Sequence, residues 1–313
     1  DRIVMSVGMT EAQQIAAVEH GAADVAPSLV DLPAGVVDGL ATRHASQLHA
    51  DSLGETEYTF LNTRVAPFDR RDARRAVNEI VDRSALVQLL GGPDAARPTC
   101  QILPPDFPGY APYCPYGARP SPAGTWSGPD LARARRLVAA SGTRGARVRV
   151  WAPADHAAIA TYFAGALRRL GYRATPRIVA GPTSGYYAAV GDPATRAQIG
   201  WAGWIKDYTA PADFLRPLFG CAGIVAGDPV ATSNYSARCD RGLDRRIAAA
   251  GRVQEQDPVA GQRAWAAVDR AIVDRAAAVP YANDLAITLL STRTSGYAFN
   301  PEWGVLLDQL WVR

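Results

Sequence analysis

The strongest constraint on this chain is a hydrophobic period that switches repeatedly along its middle. Val148 and Val150 alternate with arginines at the two-residue period of a strand. Ile159, Phe163, Leu167 and Leu170 then recur at helical spacing up to Gly171, and Arg173 to Val179 reads as strand again. Gln198 to Trp204 reads as a further strand. Leu243, Ile247 and Ala250 mark one helix, Asp257-Pro258 opens another carrying Trp265, Val268 and Ile272, and Ala282 to Leu290 is apolar and extended. Strands separated by helices specify an α/β domain, here from roughly residue 60 to 280, with pieces of something else at both ends.

Local signals refine this. Asp1 to Val7 alternates like a strand, and a helix follows from Thr10 through Ile15, Ala16 and Val18 to Gly21. Asp24 to Ala26 reads as a short strand, and loop-rich sequence leads to the strand Tyr58–Asn62, making a β–α–β piece with no partner strands of its own. Ala73, Ala76, Val77, Ile80 and Val81 share one face of a helix predicted from Asp72 to the stop at Gly91-Gly92, with Arg74, Arg75 and Glu79 pointing elsewhere. The proline-rich stretch 93–127 is predicted to be a helix-free surface excursion. Pro129-Asp130 starts a helix with proline in its first turn, ending at Gly142. Asp155 is predicted to cap the next helix. The tail ends in the strand-like Gln309–Val312.

Of the 313 residues, 48% are hydrophobic and 20% charged, which suits a packed core and excludes wholesale disorder. The net charge of +3 is dispersed, so nothing favours nucleic acid or an acidic membrane surface as a partner. No run approaches the roughly 20 apolar residues of a spanning helix. Lys206 is the only lysine among many arginines, a bias that fits a GC-rich bacterial genome and speaks of ancestry, not mechanism. The chain opens without an initiator Met or a signal segment, as expected of a processed piece of a longer protein.

Cys100, Cys114, Cys221 and Cys239 form no CxxC and have no histidine at ligand spacing, so no metal site is expected. Local disulfides 100–114 and 221–239 are the economical reading, each contributing about 3 kcal/mol by loop closure. They would place the protein outside the cytoplasm. Four buried free thiols are the other reading.

Enzyme signatures are missing: no GxSxG, no HExxH, no phosphate-binding GxxxxGK[ST] and no GxGxxG after a strand. His20, His44 and His49 lie in the opening piece. His156, at a helix start beside Asp155, reads as a solvated polar residue. The distinctive stretch is Gly200 to Pro211, where a strand ends in Trp201 and Trp204 and turns through Asp207 and Tyr208 toward a proline-started helix. Aromatic area with one carboxylate at the C-terminal end of a strand suits an amphipathic, amine-bearing ligand. Equally, the tryptophans can be core and Asp207 a turn cap, and residue types alone do not decide between the two.

Several segments, in order, resemble the C-terminal portion of the family 5 extracellular solute-binding proteins, the oligopeptide- and dipeptide-binding type of ABC importers. They are Asn62-Thr63 with Pro67-Phe68-Asp69, then Arg74 to Val77 and Ile80 to Arg83, followed by Leu131 to Gly142 and Ala166 to Gly171. Trp204, Asp207-Tyr208 and Pro211 match a tryptophan–aspartate–tyrosine–proline pattern. Asn234 to Ser236, Asp240, Leu243-Asp244 and Ala278 to Tyr281 complete the likeness.

The resemblance implies the second lobe of a two-lobed periplasmic-binding-protein-like α/β fold (type II, cluster C). Residues 1–57 would be a remnant of the first lobe, 58–284 the ligand-binding lobe and 285–313 the return to the first. It implies a non-catalytic importer component, a monomer without cofactor, which captures a short peptide or similar amphipathic solute by lobe closure. Its partner would be a membrane permease, and its place the outer face of the cell membrane or the periplasm. Asn62, Trp201, Trp204, Asp207 and Tyr208 are the implied ligand contacts, with Asp207 holding an α-amino group. The chain departs from the family at Trp201, where some oligopeptide binders carry an arginine, and in placing Lys206 beside Asp207. Two further readings are a ligand-sensing module of the same fold fused to a regulatory or signalling domain, and a hydrolase without a recognisable motif.

Overall fold

The computed structural model describes residues 2–29, 32 and 34–313. The chain runs through α1 (Glu11–Glu19), β1 (Val25–Leu29), α2 (Ala34–Arg43), β2 (Leu48–Ser52) and β3 (Glu55–Leu61). It continues with α3 (Arg71–Ile80), α4 (Arg83–Leu89), β4 (Ala96–Pro98), α5 (Leu131–Ser141), β5 (Arg147–Pro153), α6 (Ala157–Arg169) and β6 (Arg173–Val179). Then come α7 (Thr183–Gly191), β7 (Ile199–Ile205), α8 (Pro211–Phe219), α9 (Arg241–Gln256), α10 (Pro258–Arg275) and β8 (Ala278–Leu290). Four two-residue strands close the chain: β9 (Thr294–Ser295), β10 (Phe299–Asn300), β11 (Gly304–Val305) and β12 (Trp311–Val312).

The chain divides into two compact units. One comprises residues up to Glu55, Val87–Arg97 and Asn283–Arg313; the other comprises Thr56–Leu86 and Pro98–Ala282. Segment 87–97 therefore packs with the chain ends, although it lies in the middle of the sequence.

In the first unit, β1 and β2 both pair antiparallel with the second half of β8. Ile15, Val18, Leu29, Val37, Leu40, Ile287 and Leu289 form its core. α1 starts where expected because Thr10 and Gln13 cap each other reciprocally. The expected strand at the N-terminus is not formed: residues 2–7 carry no strand assignment and are exposed, and Asp1 lies outside the described residues. The opening piece also contains α2 and β2 where only loop was predicted, and β1 finds its partner in β8 from the far end of the chain. The tail strand is confined to β12, which pairs with β9.

In the second unit the strand order is β8, β3, β7, β5, β6. β5 pairs in parallel with both β6 and β7, while β3 and β8 are antiparallel. Parallel pairing of β5 and β6 follows from the helix α6 between them, whose Ile159, Phe163, Ala166 and Leu167 are buried. The predicted helix from Asp72 to Gly91 is two helices, because Val81 leaves α3 in an extended conformation (ψ 124°). Arg74 and Glu79 do not point away; both are buried. Their charges are met inside: Arg74 donates to the carbonyls of Phe68 (2.8 Å) and Arg275 (3.2 Å). Glu79 accepts the Gly117 N–H at 2.8 Å and pairs with Arg133 at 3.0 Å.

Asp130 caps α5 through Arg133 N–H, so Pro129 precedes the cap instead of sitting in the first turn, and Gly142 ends the helix in the left-handed region at φ 69°. Asp155 does not cap α6; it lies in a single 3₁₀ turn and takes the His156 ring N–H at 3.0 Å. The excursion 99–127 is helix-free, yet Cys100, Ile102, Leu103, Phe107 and Tyr116 are buried. It is held from below by Asp269 of α10, fully buried, which accepts from Gln101 (2.9 Å) and from the N–H groups of Ile102 (3.2 Å) and Leu103 (3.4 Å). Both expected disulfides are formed, Cys100–Cys114 and Cys221–Cys239. No helix among the described residues is long and apolar enough to cross a membrane.

Candidate functional site

β3 and β7 lie side by side in the second unit, and their proximity places a buried carboxylate under the predicted stretch. Glu57, 2% exposed, accepts from the Trp201 indole N–H and from the Tyr281 hydroxyl at 2.8 Å. Gly200 is what lets the strands close here. A Cβ at that position would meet the Phe60 ring at 2.7 Å and the Tyr186 hydroxyl at 2.7 Å. The same hydroxyl donates to the Trp201 carbonyl at 2.6 Å.

Trp201 is part of a column of rings. His156 stacks on it at 3.9 Å between centroids, Tyr187 stacks at 5.7 Å, and Tyr187 in turn stacks on Tyr235 at 5.5 Å and 10°. His156 is thus half sequestered against an indole and not freely solvated. Stacking on Trp201 from both His156 and Tyr187 makes it the spine of an aromatic wall more than a surface contact. Asn62 is likewise turned inward. Its amide donates to the Ala197 carbonyl at 2.9 Å and accepts the Arg64 N–H at 3.0 Å, which braces the end of β3.

The end of β7 is different. Trp204 is half-buried, whereas Asp207 and Tyr208 are exposed. Asp213, in the first turn of α8, is buried beneath them and accepts the Trp204 indole N–H at 3.4 Å and the Asp207 backbone N–H at 3.0 Å. Burial pushes the Asp213 carboxyl above the usual carboxylate range, opposed by those hydrogen bonds. Lys206 donates to Thr209 at 3.4 Å within the same turn. The result is a turn that carries a solvent-facing carboxylate close in sequence to two aromatic residues, chemistry able to receive an ammonium group.

A cleft of about 460 Å³ in the same unit is lined by Arg71, Arg74, Arg238 and Arg275 with Asp69 and Asp240. Within it Arg275 (2.9 Å) and Arg238 (3.3 Å) hold the Asp240 carboxyl well below its ordinary range, while Arg71 and Arg74 donate to backbone carbonyls. It offers no aromatic area comparable with the turn after β7.

The family model for bacterial extracellular solute-binding proteins, family 5 Middle, matches residues 1–225. The chain belongs to that family. Among curated relatives, this family 5 chain is similar to a protein named probable di/tripeptide-binding protein 5 of Pseudomonas aeruginosa (strain UCBPP-PA14). The two are 27% identical over 258 residues, covering 79% of this chain and 44% of the relative. Among solved structures, clavulanic acid biosynthesis oligopeptide binding protein 2 superposes with a TM-score of 0.83 at 20% identity, covering 97% of this chain and 55% of that one. The periplasmic binding protein DppA from Helicobacter pylori in complex with peptide STSA gives a TM-score of 0.73 at 18% identity, covering 96% and 55%. The fold is that of the type II periplasmic binding proteins, and the chain spans less than half the length of the curated relatives it matches.

Sequence reasoning missed Asp213, Glu57, Tyr187 and Tyr235 as parts of this region. Asp213 reads as a helix-start acid, and nothing in its spacing says that its side chain folds back over the turn. Tyr235 is marked in the sequence by the family resemblance alone.

Proposed function

We propose that this chain is the ligand-gripping part of an importer's solute-binding component, located outside the cytoplasm, and that its solute is a short peptide with a free α-amino group. The observation that carries this reading is the Asp207 carboxylate, exposed at the end of β7 and flanked by Trp204 and Tyr208. Relatives named as di/tripeptide-binding proteins, and similarly folded proteins holding the peptides STSA and Met-Leu, support a peptide as the solute. In this reading Asp207 pairs with the peptide ammonium, and Trp204 and Tyr208 cover the neighbouring backbone. Trp201 and Asn62 act from behind, as support. The two lobes close on the solute about hinges near residues 55–62 and 282–290, and a membrane permease receives it.

Isothermal titration of the intact protein with trialanine tests this. Asp207→Asn is expected to weaken binding by about 1.5–3 kcal/mol, the loss of one charged hydrogen-bonded partner. Equal isotherms for the two proteins would remove the ammonium role from Asp207.

A further inference from the structure

Asp213 occupies the third position of α8, where an acid ordinarily reaches back to its own helix cap. Here it does not. The capping residue Ala210 has its N–H bonded to the Tyr208 carbonyl at 2.9 Å, and the helix start makes no side-chain cap bond. The Asp213 carboxylate reaches past the cap instead, to the backbone N–H of Asp207 at 3.0 Å and the Trp204 indole at 3.4 Å. One buried side chain, 3% exposed, thereby ties the last aromatic of β7 to the backbone of Asp207 in the exposed turn.

With the Asp207 backbone N–H and the Trp204 indole held by one carboxylate, the direction in which the Asp207 side chain leaves the backbone is set before any ligand arrives. A carboxylate aimed in advance loses little freedom on meeting an ammonium, so the gain in affinity falls on ligands that carry one. The clamped indole sets the apolar surface beside it at the same time.

We propose that Asp213 is a positioning residue: it aims Asp207 and Trp204 at the ligand's amino end and sets the preference for free-amine over N-acylated peptides. This rests on the peptide reading above. Titration of the intact protein with trialanine and with N-acetyl-trialanine tests it. Asp213→Ala is expected to cut the preference for trialanine about tenfold, which is 1.4 kcal/mol, while changing N-acetyl-trialanine affinity less than about twofold. Asp213→Asn keeps one carbonyl acceptor in nearly the same volume and is expected to restore part of the preference. It also serves as the test variant if Asp213→Ala does not fold by circular dichroism. In an Asp207→Asn background, Asp213→Ala is expected to add less than about twofold. Equal weakening of both peptides by Asp213→Ala, or no change in either while Asp207→Asn weakens trialanine, overturns the positioning role and leaves the peptide reading standing. No binding of trialanine by the unaltered protein, or binding that Asp207→Asn leaves unchanged, overturns the peptide reading and this inference with it.

Discussion

The buried carboxylate of Glu57 on β3 accepts the indole N–H of Trp201 on β7, across 144 residues of sequence. Tyr281 of β8 donates to the same oxygen, so three neighbouring strands share one acceptor in the middle of the second unit. A buried carboxylate is tolerated only when its oxygens are hydrogen-bonded, and here the donors are side chains that also build the aromatic wall. Trp201→Phe keeps most of the ring area and removes the donor. It is expected to destabilise the protein by about 1–3 kcal/mol, read from urea unfolding with an unchanged slope. A loss below about 0.5 kcal/mol would mean that Glu57 finds a substitute partner.

Gly200→Ala adds one methyl group where the Phe60 ring and the Tyr186 hydroxyl already stand 2.7 Å from the Cβ position. Both neighbours are fully buried and cannot swing aside, so the strand or the rings must shift. A cost of about 1–3 kcal/mol is expected, together with changed near-ultraviolet circular dichroism from the displaced ring column. Wild-type stability with an unchanged spectrum would mean that the strands separate freely at this point.

Cys221 and Cys239 close a loop 18 residues long that is poor in regular structure. Replacing both with alanine is expected to cost about 3 kcal/mol, because the unfolded chain regains the freedom of that loop. Thermal unfolding of the two proteins without reducing agent reads this difference, and because a reductant also opens Cys100–Cys114, the alanine variant should lose less on reduction than the wild type.

Two carboxylates of the second unit act on acid stability in opposite directions. Arg275 holds Asp240 below its ordinary range. Asp240 therefore adds stability above about pH 4, and that share is lost as the pH falls through its folded-state value. Burial pushes Asp269 up to about 6, so the folded state binds its proton more tightly than the unfolded chain. Its share of stability is present below about pH 4 and is lost as the pH rises through about 6. Asp240→Asn is expected to weaken the protein at pH 7 and to narrow its difference from wild type in acid. Asp269→Asn should flatten the stability profile between about pH 4 and 6. Urea midpoints measured from pH 3 to 7 check both, and parallel profiles would contradict the two assignments.

Much of the fold was legible because its signals are local. Thr10, Gly142 and Asp257 stop or start helices through bonds that span at most a few residues, as their sequence positions suggest, and Asp130 caps a helix that begins at Leu131 instead of at the predicted Pro129. The two disulfides were readable because each closes a short segment without helical periodicity. Failures came where a distant partner overrode local pattern. Residues 2–7 alternate like a strand but pair with nothing among the described residues. Arg74 and Glu79 interrupt an apolar face yet are buried, because carbonyls and Arg133 from elsewhere in the chain satisfy them.

The sequence by itself determined the alternation of strands and helices, the family, and the turn of Trp204, Asp207 and Tyr208 as the place to look. Only the tertiary structure decided how those residues divide their work. Strand order sets Glu57 beneath Trp201 and sends that indole into a ring column, while Asp213 of α8 folds back onto the Asp207 backbone N–H. Periodicity and caps are fixed by neighbours within a turn or two. Which buried polar groups meet depends on how sheets and helices pack, and no short-range pattern records that.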